Sequence, residues 1–185
     1  MILVNDRLQR YNLSSMRYCF CGGDVLPAEV YKRWEETFNI PIYQVYGSTE
    51  VGHVCYSRID QSPKSGTIGL PLKSRECIIV DPATLEPVST GESGELLVSS
   101  PYALKGYWNK PAETEQTCVE IDGKVFCRMG DYVIEDEDGE LHYVERSADI
   151  IKHKGFRVSA SEVEAALQDH ATVIAACVVG VPGGR

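Results

Sequence analysis

Within Gln44-Val-Tyr-Gly-Ser-Thr-Glu50 an aromatic ring, two hydroxyls and a carboxylate fall inside one short run. The ring of Tyr46 can carry a base, and Gly47 lets backbone approach a phosphate. Hydroxyls at Ser48 and Thr49 can bond phosphate oxygens, and a carboxylate beside phosphate, Glu50, is a natural Mg²⁺ ligand. The same run also reads as a plain turn with a helix cap, and spacing alone weighs the two evenly. A second pair, Asp131 and Arg146, brackets a predicted β-hairpin, Tyr132–Ile134 and Leu141–Val144, that turns at Asp138-Gly139, where glycine supplies a positive φ. At the hairpin base the two offer an acceptor beside a fork of donors, which suits sugar hydroxyls. An ordinary ion pair is the equal alternative. The acidic run Glu135–Asp138 reads as a solvated turn.

The elements that must position these groups are legible from periodicity. Arg17–Phe20 is a short strand, Pro27 opens a helix with Val30, Tyr31, Trp34 and Phe38 on one face, and Ile42–Val45 is a second strand. Residues 17 to 45 therefore form a β-α-β unit with parallel strands. Ligands favour the carboxyl ends of such strands, and the two exits are Cys21-Gly22-Gly23-Asp24 and Tyr46-Gly47-Ser48-Thr49-Glu50. From Gly66 to Val144 helical period gives way to short strands and turns, among them Cys77–Val80 and Glu95–Ser99, which reads as a small β-barrel or sandwich. Pro111–Thr117 interrupts it as a short helical turn, with Trp108 as a packing anchor. Beyond the hairpin, Ile150–His153 is a strand that turns at Gly155. Ser161-x-x-Glu164 then reads as a capping box for a helix whose buried stripe is Val163, Ala166 and Leu167. The apolar run Val173–Val181 reads as a buried strand.

Composition excludes several classes of function. The chain has 185 residues, 43% hydrophobic, enough for a sizeable core in one or two small domains. A net charge of −9 argues against a nucleic-acid partner. Seven cysteines show no paired metal-site spacing and read as reduced, cytosolic thiols. The four histidines, at 53, 142, 153 and 170, show no metal-ligand spacing either. No stretch reaches transmembrane length, and Ser48 lies outside any nucleophile elbow.

Taken together, Gln44–Glu50, Gly106-Tyr-Trp-Asn109, Gly130-Asp131, Glu145-Arg146 and Lys152-His-Lys-Gly-Phe-Arg-Val158 occur in an order that resembles the adenylate-forming superfamily. That superfamily includes acyl-CoA synthetases, peptide-synthetase adenylation domains and luciferases. The likeness covers almost the whole chain and leans toward fatty-acyl or medium-chain acyl-CoA synthetases. It implies an α+β fold in three parts: residues 1–65 as the end of the AMP-binding large domain, 66–145 as a β-barrel, and 146–185 as a hinge with the start of a mobile C-terminal domain. It also implies a reaction in which a carboxylate attacks the α-phosphate of ATP and the acyl adenylate passes to coenzyme A.

By resemblance, Gly22, Gly23 and Asp24 border the adenine, Gln44 and Tyr46 bracket it, Gly47 lies in the same nucleotide-binding run, Thr49 holds the α-phosphate and Glu50 binds Mg²⁺. Asp131 accepts both ribose hydroxyls and Arg146 donates to ribose or phosphate, so the resemblance tips that pair toward function. The hinge follows Arg146, and Gly155 with Phe156 lines the coenzyme A tunnel. The second position after Arg146, usually Asp or Lys in the family, is Ala148, with Asp149 following, which puts the pivot residue in doubt.

The family's phosphate loop is expected upstream of residue 1 and its catalytic lysine beyond residue 185, so the chain alone is expected to be inactive. Its abrupt stop after an apolar run reads as a cut piece that exposes apolar faces and can self-associate. Two alternatives stand beside the synthetase reading: a peptide-synthetase-type adenylation domain, and a non-catalytic nucleotide-binding module.

Overall fold

The computed structural model describes residues 11–23, 26, 28–61, 64, 66–147, 150–153, 156–168, 170, 172–173 and 176–181. The β-α-β unit forms as its periodicity demands. Strand β1 (Cys19–Gly22) pairs in parallel with β2 (Ile42–Ser48), and helix α1 (Ala28–Phe38) crosses between them. Leu26, Trp34 and Ile42 are buried together in one core cluster, with Val30, Tyr31 and Phe38 packed against them. Trp34 also donates its indole N–H to the Ile40 carbonyl at 2.9 Å, fixing the turn into β2.

Strand β2 runs three residues further than its apolar pattern. The segment expected to be an exit loop is extended through Ser48, carries a bulge at Tyr46/Gly47, and folds back into β3 (Gly52–Tyr56). Gly52, at φ +71°, supplies the left-handed residue that closes this turn.

From β3 the sheet continues through β4 (Thr67–Pro71), β5 (Glu76–Val80), β6 (Ser93–Ser99), β7 (Cys118–Ile121), β8 (Lys124–Glu135) and β9 (Leu141–Arg146). The order across it is β1-β2-β3-β4-β9-β8-β6-β5, with β7 added to β8. Only the β1–β2 pair is parallel; the other ladders are antiparallel. The expected barrel is therefore replaced, among the described residues, by one curled mixed sheet without a closing ladder. Its curl is visible in the core: Val54 and Cys55 of β3 share one cluster with Leu96, Val98, Cys127 and Val133, and Cys77 of β5 packs against it. The N–H of Leu72 reaches the Val54 carbonyl at 2.8 Å, and Arg75 Nε the His53 carbonyl at 2.8 Å. On the other face of β6, Leu97 packs with Val80 and Phe126. A strand buried on both faces reads as a continuous apolar run, which is why Leu96-Leu97-Val98 lacks alternation.

Helix α2 (Pro111–Thr117) forms as expected, with proline in its first turn. Trp108, just before it, is 90% exposed and is no packing anchor among the described residues. Beyond the large sheet, β10 (Ile150–His153) and β11 (Phe156–Ser159) make a separate two-stranded ribbon that leads into α3 (Ala160–Gln168). The helix begins at Ala160, which puts Ser161 within its first turn, and the Ser161 side chain lies outside the described residues. Glu164 accepts the Val178 N–H at 2.8 Å. The expected stripe is not buried: Val163 is 37% and Leu167 47% exposed, and Ala166 is exposed as well. Where described, residues 173 to 181 form no strand, and Val179 and Val181 are exposed.

Among the described residues of this end only Ala160 is a buried apolar side chain, so its opening free energy should be small. Amides of β10, β11 and α3 are expected to exchange with solvent at least about tenfold faster than those of β6 and β8 in hydrogen-exchange mass spectrometry. Equal protection would mean that the ribbon and helix are docked as firmly as the core. Among the described residues, no helix is long and apolar enough to cross a membrane.

Candidate functional site

The bulged end of β2 and the base of the β8–β9 hairpin meet. Gly139, at φ +77°, lets the chain reverse at the hairpin tip, and a bulge between Tyr132 and Val133 shifts the register so that Asp131 stands opposite Arg146. Arg146 Nε lies 3.2 Å from Asp131 Oδ1, and the Tyr46 hydroxyl donates to Asp131 Oδ2 at 2.5 Å. Asp131 is only 5% exposed, whereas the Arg146 side chain remains largely in solvent. The carboxylate is thus a buried acceptor with each oxygen already oriented by a donor. Burial, then the negative charge and hydrogen bond of Asp131, push the Tyr46 phenol far above its ordinary range, so it stays protonated.

Glu50 sits in the tight turn between β2 and β3, half-buried. Its N–H donates to Ser48 Oγ at 3.2 Å, and its carbonyl accepts the Leu104 N–H at 2.7 Å. The hydroxyl of Tyr107 donates to Glu50 Oε1 at 2.9 Å. Burial alone would raise the Glu50 carboxyl, but hydrogen bonds from Ser48, Tyr107 and its own backbone, with the charge of Arg146, hold it below the ordinary range. It is a fixed anion at neutral pH. Because its folded value is depressed, its contribution to stability is present above the unfolded carboxylate value of about 4.3 and fades as pH falls through the folded one. Thr49, next to it, is exposed.

Tyr46, Asp131 and Arg146 are in direct contact, and Glu50 lies close enough to feel Arg146. Gln44 is fixed through its backbone: its N–H donates to Ser57 Oγ at 3.0 Å, and its carbonyl accepts the Ser57 N–H at 2.9 Å. Gly22 ends β1, opposite Val45 of β2, where a Cβ would stand 2.6 Å from the Val45 carbonyl oxygen. Gly23 follows at φ +92° with open space around it. Gly47 also has a task within the sheet. A Cβ there would collide with the Gly52 carbonyl across the bulge, so the glycine serves the β2–β3 approach. Asp24, Ala148, Asp149 and Gly155 lie outside the described residues, and Phe156 is described in its backbone alone.

Tyr107 is the functional side chain that the pattern did not single out. It reaches Glu50 because Gly106, at φ +146°, turns the chain beside α2, where Thr114 Oγ1 accepts the Tyr107 N–H at 2.9 Å. The glycine-tyrosine pair before a proline-started helix was the available signal, yet nothing local ties residue 107 to residue 50.

A buried carboxylate with its two donors, an ionised carboxylate and an exposed hydroxyl thus gather where the end of β2 meets the base of the β8–β9 hairpin. A model of the family described as AMP-binding enzyme matches residues 1–108. The long-chain-fatty-acid–CoA ligase of Bacillus subtilis is 36% identical over 182 residues, covering 98% of this chain and 32% of the relative. The structure of the anthranilate CoA ligase AuaEII in complex with anthranoyl-AMP superposes with a TM-score of 0.84 at 31% identity, over 98% of this chain and 34% of that one. ATP-bound MatB from Rhodopseudomonas palustris gives a TM-score of 0.88 at 28% identity, over 97% and 35%. The chain therefore spans about a third of the length of the relatives it matches.

Proposed function

This chain belongs to the AMP-binding enzyme family, and from that premise we propose that it is the nucleotide-binding part of an ATP-dependent acid–thiol ligase. Such an enzyme activates a carboxylic acid as its acyl adenylate and transfers the acyl group to coenzyme A. The observation that carries this reading is the contact of Tyr46 and Arg146 with buried Asp131, beside the ionised Glu50. Asp131 has lone pairs for the two ribose hydroxyls, and Tyr46 and Arg146 keep its carboxylate turned toward them. Thr49 and Arg146 are placed to meet phosphate oxygens, and Gly22, Gly23, Gln44 and the Tyr46 ring border the base.

Glu50 fits a Mg²⁺ ion, since a hard, ionised oxygen donor beside phosphate is what that ion takes. When bound there, Mg²⁺ supplies charge neutralisation at the phosphates. Tyr107 keeps the Glu50 carboxylate in place. Tyr107→Phe, in the protein that carries this chain, is expected to raise the half-saturating Mg²⁺ concentration about 3- to 10-fold with little loss of Tm, since one charge-assisted hydrogen bond goes. A Mg²⁺ titration at fixed ATP reads this.

The acid is proposed to be a fatty acid, on the strength of the Bacillus relative; anthranilate in the AuaEII complex shows how widely the acid varies among relatives. The segment after Arg146, through Ala148 and Asp149, is proposed as the hinge before a mobile domain, with Gly155 and Phe156 on the coenzyme A path. Acid-dependent exchange of pyrophosphate into ATP, followed by consumption of coenzyme A, tests the assignment. Exchange without any use of free coenzyme A would favour a peptide-synthetase-type adenylation domain. No exchange with any carboxylic acid would leave a nucleotide-binding module.

A further inference from the structure

We propose that the tip of the β8–β9 hairpin holds a divalent transition-metal ion of the zinc class between Asp136, Glu140 and His142. The ligand atoms these three residues offer all lie within 4.8 Å of one another. His142 Nε2 is 2.9 Å from Asp136 Oδ2. Asp136 is pre-oriented: its Oδ1 accepts the N–H groups of Asp138 and Glu140, each at 2.9 Å, which turns Oδ2 toward the imidazole.

Glu140 supplies the independent observation. It is 5% exposed, and its Oε2, shut off from solvent, accepts no hydrogen bond from the described residues. A buried carboxylate oxygen left in that state is costly unless a cation meets it. The nearest is the Lys64 ammonium at 3.7 Å, beyond hydrogen-bond reach, because that group sits closer to Asp136 at 3.2 Å and Asp138 at 2.8 Å. One ammonium faces three carboxylates, and it under-serves the most buried of them. A dication bonded at about 2.0–2.2 Å to an imidazole nitrogen and two carboxylates would satisfy Glu140, and Lys64 can withdraw on its flexible stem. A nitrogen in the donor set selects zinc-like ions over Mg²⁺ and Ca²⁺. The site lies at the opposite end of the hairpin from Asp131 and Arg146, so it would clasp the turn and does not depend on the nucleotide reading.

Co²⁺, titrated into chelator-treated protein, is the probe. One equivalent is expected to give visible d–d bands without the near-ultraviolet thiolate band that cysteine ligation would add. His142→Ala and Glu140→Gln should each weaken binding by at least about tenfold, Glu50→Gln should leave it unchanged, and Lys64→Ala should tighten it by removing the competing ammonium. The proposal is overturned by absence of binding, by a thiolate band, or by binding indifferent to His142 and Glu140. Should those two variants fold poorly, Lys64→Ala decides alone: affinity equal to or below that of the unaltered protein sinks the site.

Discussion

Asp131→Ala, introduced into the intact protein, is expected to raise the KM for ATP by at least about 10- to 100-fold, the equivalent of one charge-assisted hydrogen bond of about 1.5–3 kcal/mol. The proposed role gives this carboxylate two ribose hydroxyls, so the loss can exceed that figure. The substitution also strips the acceptor from the Tyr46 hydroxyl and the Arg146 guanidinium, both of which contact it. Tyr46 is the more serious casualty, because its phenol is largely buried and Arg146 can return to water. A lowered Tm is therefore expected beside the raised KM. The two readouts separate a binding role from a structural one. If Asp131 serves the fold alone, Tm falls and the KM of the surviving folded enzyme does not move. Initial rates over a range of ATP, with a thermal melt on the same preparation, distinguish the two.

Glu50→Gln should act on turnover, lowering kcat for adenylate formation by about 10²- to 10³-fold. Glutamine keeps the volume and can still accept the Tyr107 hydroxyl, now made at 2.9 Å to Oε1, so the turn between β2 and β3 should survive. What disappears is a negative charge that hydrogen bonds from Ser48, Tyr107 and the backbone hold ionised against its own burial. Partial recovery at high Mg²⁺ would mark the lost charge as a cation ligand, while a kcat within a factor of about two of the unaltered enzyme would remove Glu50 from the chemistry.

Much of this arrangement was legible in the sequence where local rules fix long-range geometry. The Asp131–Arg146 pair could be read approximately, because a turn at Asp138-Gly139 brings the two strand ends together; the bulge between Tyr132 and Val133, which places Arg146 rather than Glu145 opposite Asp131, left no mark in the sequence. The β-α-β unit could be read because apolar period and a proline-started helix agree. The meaning of Gly47 could not, since a glycine shows that a side chain is excluded without showing by what. The excluding group, the Gly52 carbonyl, lies on β3, a strand whose Gly-His-Val-Cys-Tyr pattern gave no warning. The curl of the sheet was also hidden, because it depends on Val54 and Cys55 meeting Leu96 and Val133 across a shared core. Trp108 and the α3 stripe misled for another reason: an apolar residue advertises that it can be covered, and among the described residues Trp108, Val163 and Leu167 stay exposed.

The central claim is that Tyr46, Glu50, Asp131 and Arg146 form the walls of an adenosine-nucleotide site. Titration of isotope-labelled protein with AMP, followed by amide NMR shifts, tests it most directly. The account predicts saturable shifts at residues 22–23, 44–50, 131 and 146, lost in Asp131→Ala, with the β8–β9 tip around Asp136 and Glu140 unmoved. Shifts confined to residues 150–181, or a pattern that Asp131→Ala leaves intact, would contradict it.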